Sequence, residues 1–279
     1  ARIPEVMRQA FTIARSGRPG PVLIDLPKDV QVGTLDFCPA RSLPECSRTP
    51  DREIMALVRK AGRVVGAAKR PVMVVGGGVI RGKAAAAARQ LAAKCNLPVV
   101  STLMGLGAFS SADPRFLGLT GMHGHKAANN AICNADLIIA VGSRLSERVT
   151  GDHESYGSGK SLIHIDIDSA EVGKNVAAHI GLVGEMKALL QMLLCAVTPG
   201  TLPDWWRTIE TWKQQNMVEY ETDNLTARWI MKNISDQTAQ RDVIFASDVG
   251  QHQMWAAQHL ALERPDTWIT SGGLGAMGF

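Results

Sequence analysis

The sequence has no long apolar run, no dense patch of one charge, no paired-cysteine pattern and no histidine spacing of the kind that holds zinc. Its longest apolar stretches, such as Leu137 to Val141, are strand-sized and far short of the roughly 20 residues a membrane helix needs, which excludes a bilayer-spanning segment. Thirty Lys/Arg against 26 Asp/Glu leave a formal net charge of +4, with no cluster able to track a phosphate backbone, so nucleic acid is excluded as a partner. The opening ARIPEVMRQAF contains no apolar signal core, and Cys38, Cys46, Cys95, Cys133 and Cys195 form neither a CxxC pair nor a disulfide framework. A reducing, cytoplasmic setting is expected, with each cysteine a small apolar residue. Without an HxxxH or mixed His/Cys spacing, His123, His153, His164 and His179 take no metal role.

What is present is an ordinary globular composition, 46% hydrophobic and 20% charged over 279 residues, enough chain for two or three folding units. Periodicity reads as a series of βα pieces. A helix over residues 3–16 leads through Gly17-Arg18-Pro19-Gly20 into PVLIDLP (21–27), an expected strand. A lone parallel strand needs neighbours, so the chain is expected to be cut short at its start. Residues 31–50, with Pro39, Pro44 and Pro50, read as an extended linker. Apolar strands are then expected in 71–77, 97–103, 136–143, 161–168 and 180–184, separated by helices. The pattern predicts a Rossmann-like α/β domain over 51–197 with a six-stranded parallel sheet covered on both faces. A second linker is expected over 198–222, with Trp205, Trp206 and Trp212 as packing anchors. A further α/β unit begins at 223, with strands in 242–248 and 267–270, and is expected to be incomplete at residue 279.

In open parallel sheets ligands gather beyond the carboxyl ends of the strands. Gly76-Gly77-Gly78 follows a strand directly, suiting either close approach to a phosphate or plain tight turning, and lacks the full GxGxxG spacing. Thr102-Leu103-Met104-Gly105 and Gly121-Met122-His123-Gly124 mark two further turns at the same edge. Gly142-Ser143-Arg144, with Asp166 and Asp168 on the next strand, pairs a guanidinium suited to pyrophosphate with carboxylates suited to a ribose, or else forms strand-end salt bridges. Asp248-Val249-Gly250-Gln251-His252 and the glycine-rich run 271–278 each precede or follow a helix as an anion cradle would.

Taken together, GRPGPVLIDLPKDVQ, STLMGLGAF, GMHG, RVTG, HIDIDSAEVGKN, DVGQHQMWAAQ and TSGGLGAMGF resemble, in order and across the whole chain, the acetolactate synthase (acetohydroxyacid synthase) large catalytic subunit family. The resemblance implies the end of a pyrimidine-binding domain (1–30), a central FAD-binding domain (51–197) and the start of a diphosphate-binding domain (223–279). It implies FAD contacts at Arg18, Gly76, Gly77, Gly78, Thr102, Leu103, Met104, Met122, His123, Gly142, Arg144, Asp166, Ile167 and Glu171. Thiamine diphosphate contacts are implied at Val249, Gly250, Gln251, His252, Gly275 and Met277, and a substrate channel at Lys28 and Arg148. The implied reaction decarboxylates pyruvate and joins its two-carbon unit to a second 2-keto acid such as 2-ketobutyrate, in branched-chain amino acid biosynthesis. The flavin would be largely structural, since this chemistry involves no net electron transfer. A homodimer or homotetramer and a regulatory small subunit are implied partners. The activating glutamate and the Mg²⁺ ligands of the family have no counterpart here, so no catalytic residue is assigned and the chain alone is expected to be inactive. The sequence departs from the family at Arg144-Leu145-Ser146-Glu147-Arg148, where RFDDR is usual, and at Gly184-Glu185, where Gly-Asp is usual. Two other readings stay open: a related thiamine enzyme of the glyoxylate carboligase or pyruvate oxidase type, and a non-catalytic nucleotide-binding module.

Overall fold

The computed structural model describes residues 2–34, 52–215 and 225–279, and the chain divides into two compact units, Ala1–Asp51 and Arg52–Phe279. The described part of the first holds helices α1 (Ile3–Arg15) and α2 (Lys28–Val32). Pro4 opens α1 where its missing N–H costs nothing. The expected strand over 21–27 does not form: the segment is unpaired coil, because among the described residues of this unit there is no second strand to take its main-chain groups. Most of the linker expected over 31–50, with Cys38, Cys46 and its three prolines, lies outside the described residues.

The second unit opens with α3 (Arg52–Ala67), β1 (Pro71–Val75), the short α4 (Gly77–Arg81), α5 (Ala85–Cys95), β2 (Val99–Ser101) and β3 (Phe116–Leu119). It continues through α6 (Lys126–Asn134), β4 (Leu137–Val141), the short α7 (Glu147–Thr150) and α8 (His153–Gly157), β5 (Ser161–Asp166), β6 (Ile180–Val183) and α9 (Met186–Ala196). The six strands form one sheet in the order β3-β2-β1-β4-β5-β6, every pair parallel. The expected six-stranded parallel α/β architecture is therefore present. Its one strand without a sequence assignment is β3, an edge strand in which burial alternates along Phe116-Leu117-Gly118-Leu119.

Alternate side chains of the central strands feed two cores. Met73, Val75, Ile139, Val141, Ile163 and Ile165 pack beneath α3, α5 and α9, while Val72, Val74, Ile138, Ala140 and Leu162 face α6 and the following helix α10 (Pro203–Gln215). Both faces of β1 and β4 are fully buried, which is why these strands read as unbroken apolar runs. Within the stretch 198–222 expected as linker, α10 packs on the sheet. Trp205 is buried, donates its indole N–H to the Pro71 carbonyl at 3.1 Å and meets Trp212 edge to face.

The unit ends with α11 (Ala227–Thr238), β7 (Phe245–Ser247), α12 (Gln251–His259) and β8 (Trp268–Thr270). Thr226 caps α11 by accepting from the Trp229 N–H at 3.2 Å. β7 and β8 pair in parallel. A third core cluster joins this pair to the β2–β3 end of the main sheet through Leu106, Leu119, Ala257, Leu260 and Trp268.

Candidate functional site

The carboxyl ends of β2, β1, β4 and β5 lie side by side and carry Thr102–Met104, Gly76–Gly78, Gly142–Arg144 and Asp166. With strands spaced ~4.8 Å, this rim is about 14 Å long, and it straddles β1 and β4, where the strand order reverses direction. At its middle the main chains touch. Gly76 N–H donates to the Val141 carbonyl and Gly78 N–H to the Gly142 carbonyl, both at 2.9 Å. A Cβ on Gly78 would lie 2.6 Å from Gly142 Cα, and Gly142 itself has φ +59°. Close backbone approach thus requires Gly76, Gly78 and Gly142, as the tight-turn reading allowed. Gly77 instead faces Met104, whose Cβ a methyl group there would meet at 3.0 Å.

Either side of this seam the polar groups differ. Arg144 is exposed. Asp166 is buried at the end of β5 and accepts from the Asp168 N–H at 3.0 Å. Ile167 comes next, half-buried, and Glu171 is buried with its carboxylate 3.5 Å from Lys174 Nζ. Beneath Arg144, His164 is a wholly structural residue: Nε2 bonds the Ser143 carbonyl at 2.8 Å and Nδ1 accepts from the Gly173 N–H at 3.2 Å. Burial holds its pKa below the ordinary histidine value.

The GMHG turn after β3 is built by a residue that no motif in the sequence marks. Asn129, in the first turn of α6, accepts from the Thr120 hydroxyl at 3.1 Å and the Gly121 N–H at 2.9 Å, and returns a bond to the Gly121 carbonyl at 2.9 Å. Met122 and His123 are thereby presented to solvent. The turn also leans on α7, for Met122 N–H donates to the Arg148 carbonyl at 3.0 Å and Arg148 Nη1 lies 3.6 Å from Met122 Sδ. Arg148 is thus brought beside Met122. Arg18 and Lys28 belong to the first unit, where both are exposed.

A second rim is formed by the ends of β7 and β8. The Asp248 carboxylate accepts from the Val249 N–H at 2.7 Å and from the Gly278 N–H at 3.0 Å, tying the DVGQH turn to the glycine-rich run. These N–H donors hold its pKa below the usual aspartate range. Behind it, buried Gln253 donates to the Thr270 hydroxyl, which donates to the Ser247 carbonyl at 2.8 Å. Gly250 is the N-cap of α12 with φ +154°, so the N–H groups of Gln251 and His252 have no partner within the helix. Gly275 has φ +66° and open space around it, and Met277 is 74% exposed.

The two rims meet. A Cβ on Gly272 would overlap Met104 Sδ, and one on Gly273 would lie 3.9 Å from Arg144 Nη2. No sequence signal pairs Met104 with Gly272, 168 positions apart by subtraction of their numbers. Asn129 and Asp248, by contrast, each stand beside a glycine turn that the sequence marks plainly. Among the described residues no group of three or more His, Cys, Asp or Glu side chains converges as a metal site, and no helix is long and apolar enough to cross a membrane.

Comparison with known proteins bears on both rims. Residues 58–193 match the family described as thiamine pyrophosphate enzyme, central domain, and residues 248–279 match the thiamine pyrophosphate enzyme C-terminal TPP binding domain. The chain is 42% identical over 288 residues to an acetolactate synthase of Mycobacterium bovis, covering 99% of this chain and 46% of the relative. It is 42% identical over 280 residues to the acetolactate synthase isozyme 2 large subunit of Escherichia coli, covering 99% and 50%. Against the chloroplastic acetolactate synthase 1 of Nicotiana tabacum it is 40% identical over 288 residues, covering 99% and 43%. The chain spans about half the length of the curated relatives it matches.

Proposed function

Because the chain belongs to the thiamine-pyrophosphate enzymes of the acetolactate synthase large-subunit family, we propose that the protein acts in acetolactate synthesis, decarboxylating pyruvate and passing the two-carbon unit to a second 2-keto acid. The observation that carries this reading is the meeting of two ligand-ready rims at Met104–Gly272 and Arg144–Gly273. It lets one protein core hold two cofactors side by side.

Thiamine diphosphate belongs at the β7–β8 rim. The free N–H groups of Gln251 and His252, at the positive end of α12, suit a diphosphate. Val249 and Gly250 shape the turn that Asp248 holds closed. Met277, exposed and polarisable next to the open Gly275, offers an apolar support for a ring. When bound, the cofactor supplies the carbanion stabilisation that decarboxylation needs. No described residue is assigned to Mg²⁺, for want of a donor cluster.

FAD belongs along the ~14 Å rim of the central sheet, at the switch point where open α/β sheets take dinucleotides. The donor set fits it: an exposed guanidinium at Arg144, the Asp166 carboxylate on the adjacent strand, and side-chain-free main chain between Thr102–Met104 and Gly142. Leu103, Met122, His123, Ile167 and Glu171 complete the proposed contacts within the second unit, with Arg148 lining the path of the substrate. Homo-oligomers, a regulatory small subunit and a cytoplasmic setting are the corresponding partners and location, in keeping with the free thiols of Cys95, Cys133 and Cys195.

Equilibrium dialysis tests both halves. FAD affinity falls about tenfold or more in Arg144→Ala and in Asp166→Ala, each removing a charge-assisted contact, while His252→Ala weakens thiamine diphosphate and leaves FAD unchanged. Unaltered FAD binding in both rim variants would remove the flavin from this edge.

A further inference from the structure

A cavity of about 380 Å³ lies between the β2–β3 end of the main sheet and the α11–α12 pair, away from both rims. Its volume is at the lower end of small-molecule sites, roughly 300–1,000 Å³. Leu106, Phe116, Leu117, Leu260 and Leu262 supply apolar wall, and the charged or titratable side chains lining it are Arg228, His125 and His259, with no carboxylate among them.

The three basic groups are not equivalent. His125 is spent: Nδ1 accepts from the Leu119 N–H at 3.1 Å and Nε2–H meets the Gln258 carbonyl at 3.0 Å. Burial keeps it neutral by lowering its pKa. Arg228, half-buried on α11, makes no hydrogen bond or ion pair with another described residue, and neither does His259 at the end of α12. At the end of α12 the Gln258 carbonyl is taken by His125 and the Ala256 carbonyl by the Leu260 N–H. Of the other polar side chains lining it, Ser111 is engaged with the main chain of Leu262 and Gln258 donates to the His123 carbonyl at 2.7 Å.

We infer that this cavity is a binding site for a small organic carboxylate, its head group held by Arg228 and His259 and its carbon body laid against Leu106, Phe116 and Leu262. One guanidinium beside a histidine ring, with an apolar wall and no internal counter-charge, matches that chemistry. His259 is pushed down to about 4 by burial, then by Arg228, then by His125, so at neutral pH its ring is neutral and Arg228 is the charged group lining the cavity. Binding here does not depend on acetolactate synthesis at the rims.

The test is a calorimetric and NMR titration of the full chain at neutral pH with isovalerate, its neutral isostere isovaleramide, and inorganic phosphate. Isovalerate is expected to bind about tenfold or more tightly than the amide, and Arg228→Gln to weaken it by about tenfold. Arg228→Lys is expected to retain part of the affinity, and binding to shift the His259 ring resonances and raise its pKa. Should Arg228→Gln not fold, Arg228→Lys and His259→Gln carry the same comparison. Equal affinity for acid and amide, or affinity indifferent to Arg228 and His259, overturns the site. Tighter binding of phosphate than isovalerate overturns its assignment to a carboxylate.

Discussion

Met104, at the end of β2, packs against Gly272, just after β8, so closely that glycine is the only residue the present side-chain position admits. The backbone at Gly272 is not left-handed, so an alanine there meets only side chains, Met104 first and Leu103 next. We expect Gly272→Ala to cost about 1–2 kcal/mol by overpacking, and Met104→Ala in the same chain to recover part of that loss. A urea double-mutant cycle measures this. Strict additivity of the two changes would mean the contact transmits nothing between the rims.

The Asp248 carboxylate closes the glycine-rich turn, and its lowered pKa fixes the sign of the pH dependence. The group stabilises the folded turn above the unfolded pKa of about 3.9 and loses that contribution as pH falls through the lower folded value. Amide exchange at Gly278 should therefore quicken only in strong acid, whereas Asp248→Asn should quicken it already at neutral pH. Identical exchange in variant and parent would dismiss the tie.

His259 acts in the same sense, in a higher pH window. With its pKa lowered to about 4, the unfolded chain, near 6.5, binds the extra proton first. Stability is then full above pH 6.5 and declines as pH falls from 6.5 towards 4. In His259→Gln the urea midpoint should change less between pH 7.5 and 5 than in the parent; equal slopes would show that His259 titrates normally.

Glu185 is the N-cap of α9, with φ −58° and ψ 118°, and makes no side-chain cap bond. Aspartate, one methylene shorter, is among the preferred N-cap residues and glutamate is not. Glu185→Asp should raise stability by about 0.5–1 kcal/mol, seen as an increase in Tm, and a decrease would show that the longer side chain has another task.

Trp268 buries its indole N–H without an acceptor. Removing an unsatisfied donor while keeping most of the ring should be nearly neutral, so Trp268→Phe is expected to lie within about 1 kcal/mol of the parent, and Ile139→Ala, in the sheet centre, to lose about 2–5 kcal/mol. A larger loss at Trp268 than at Ile139 would reverse this ranking.

The central sheet was legible because β1 and β4 are buried on both faces and so spell themselves in Val, Ile and Leu. Phe116–Leu119 escaped notice as an edge strand with a glycine in it, too short and too mixed to stand out. PVLIDLP misled for the converse reason: apolar β-branched spelling gives a strand only where another strand receives its hydrogen bonds. At the rims, glycine turns and strand-end charges could be read directly. The clamp by Asn129 could not, since an asparagine eight residues past a glycine turn matches no motif, nor could the contact between Met104 and Gly272, which depends on tertiary neighbours that no local spacing encodes.

Where Gly76, Gly78 and Gly142 press their main chains together, the switch point of the sheet is a floor and not a slot. A molecule laid across it would rest on bare backbone at its middle and meet side chains only at its ends, at Thr102–Met104 beyond β2 on one side and at Arg144 and Asp166 on the other. Such a rim would work as a ruler: length would become the selected property, and the two halves of a long ligand, offered separately, would each forfeit the tether that turns the second grip into an intramolecular event.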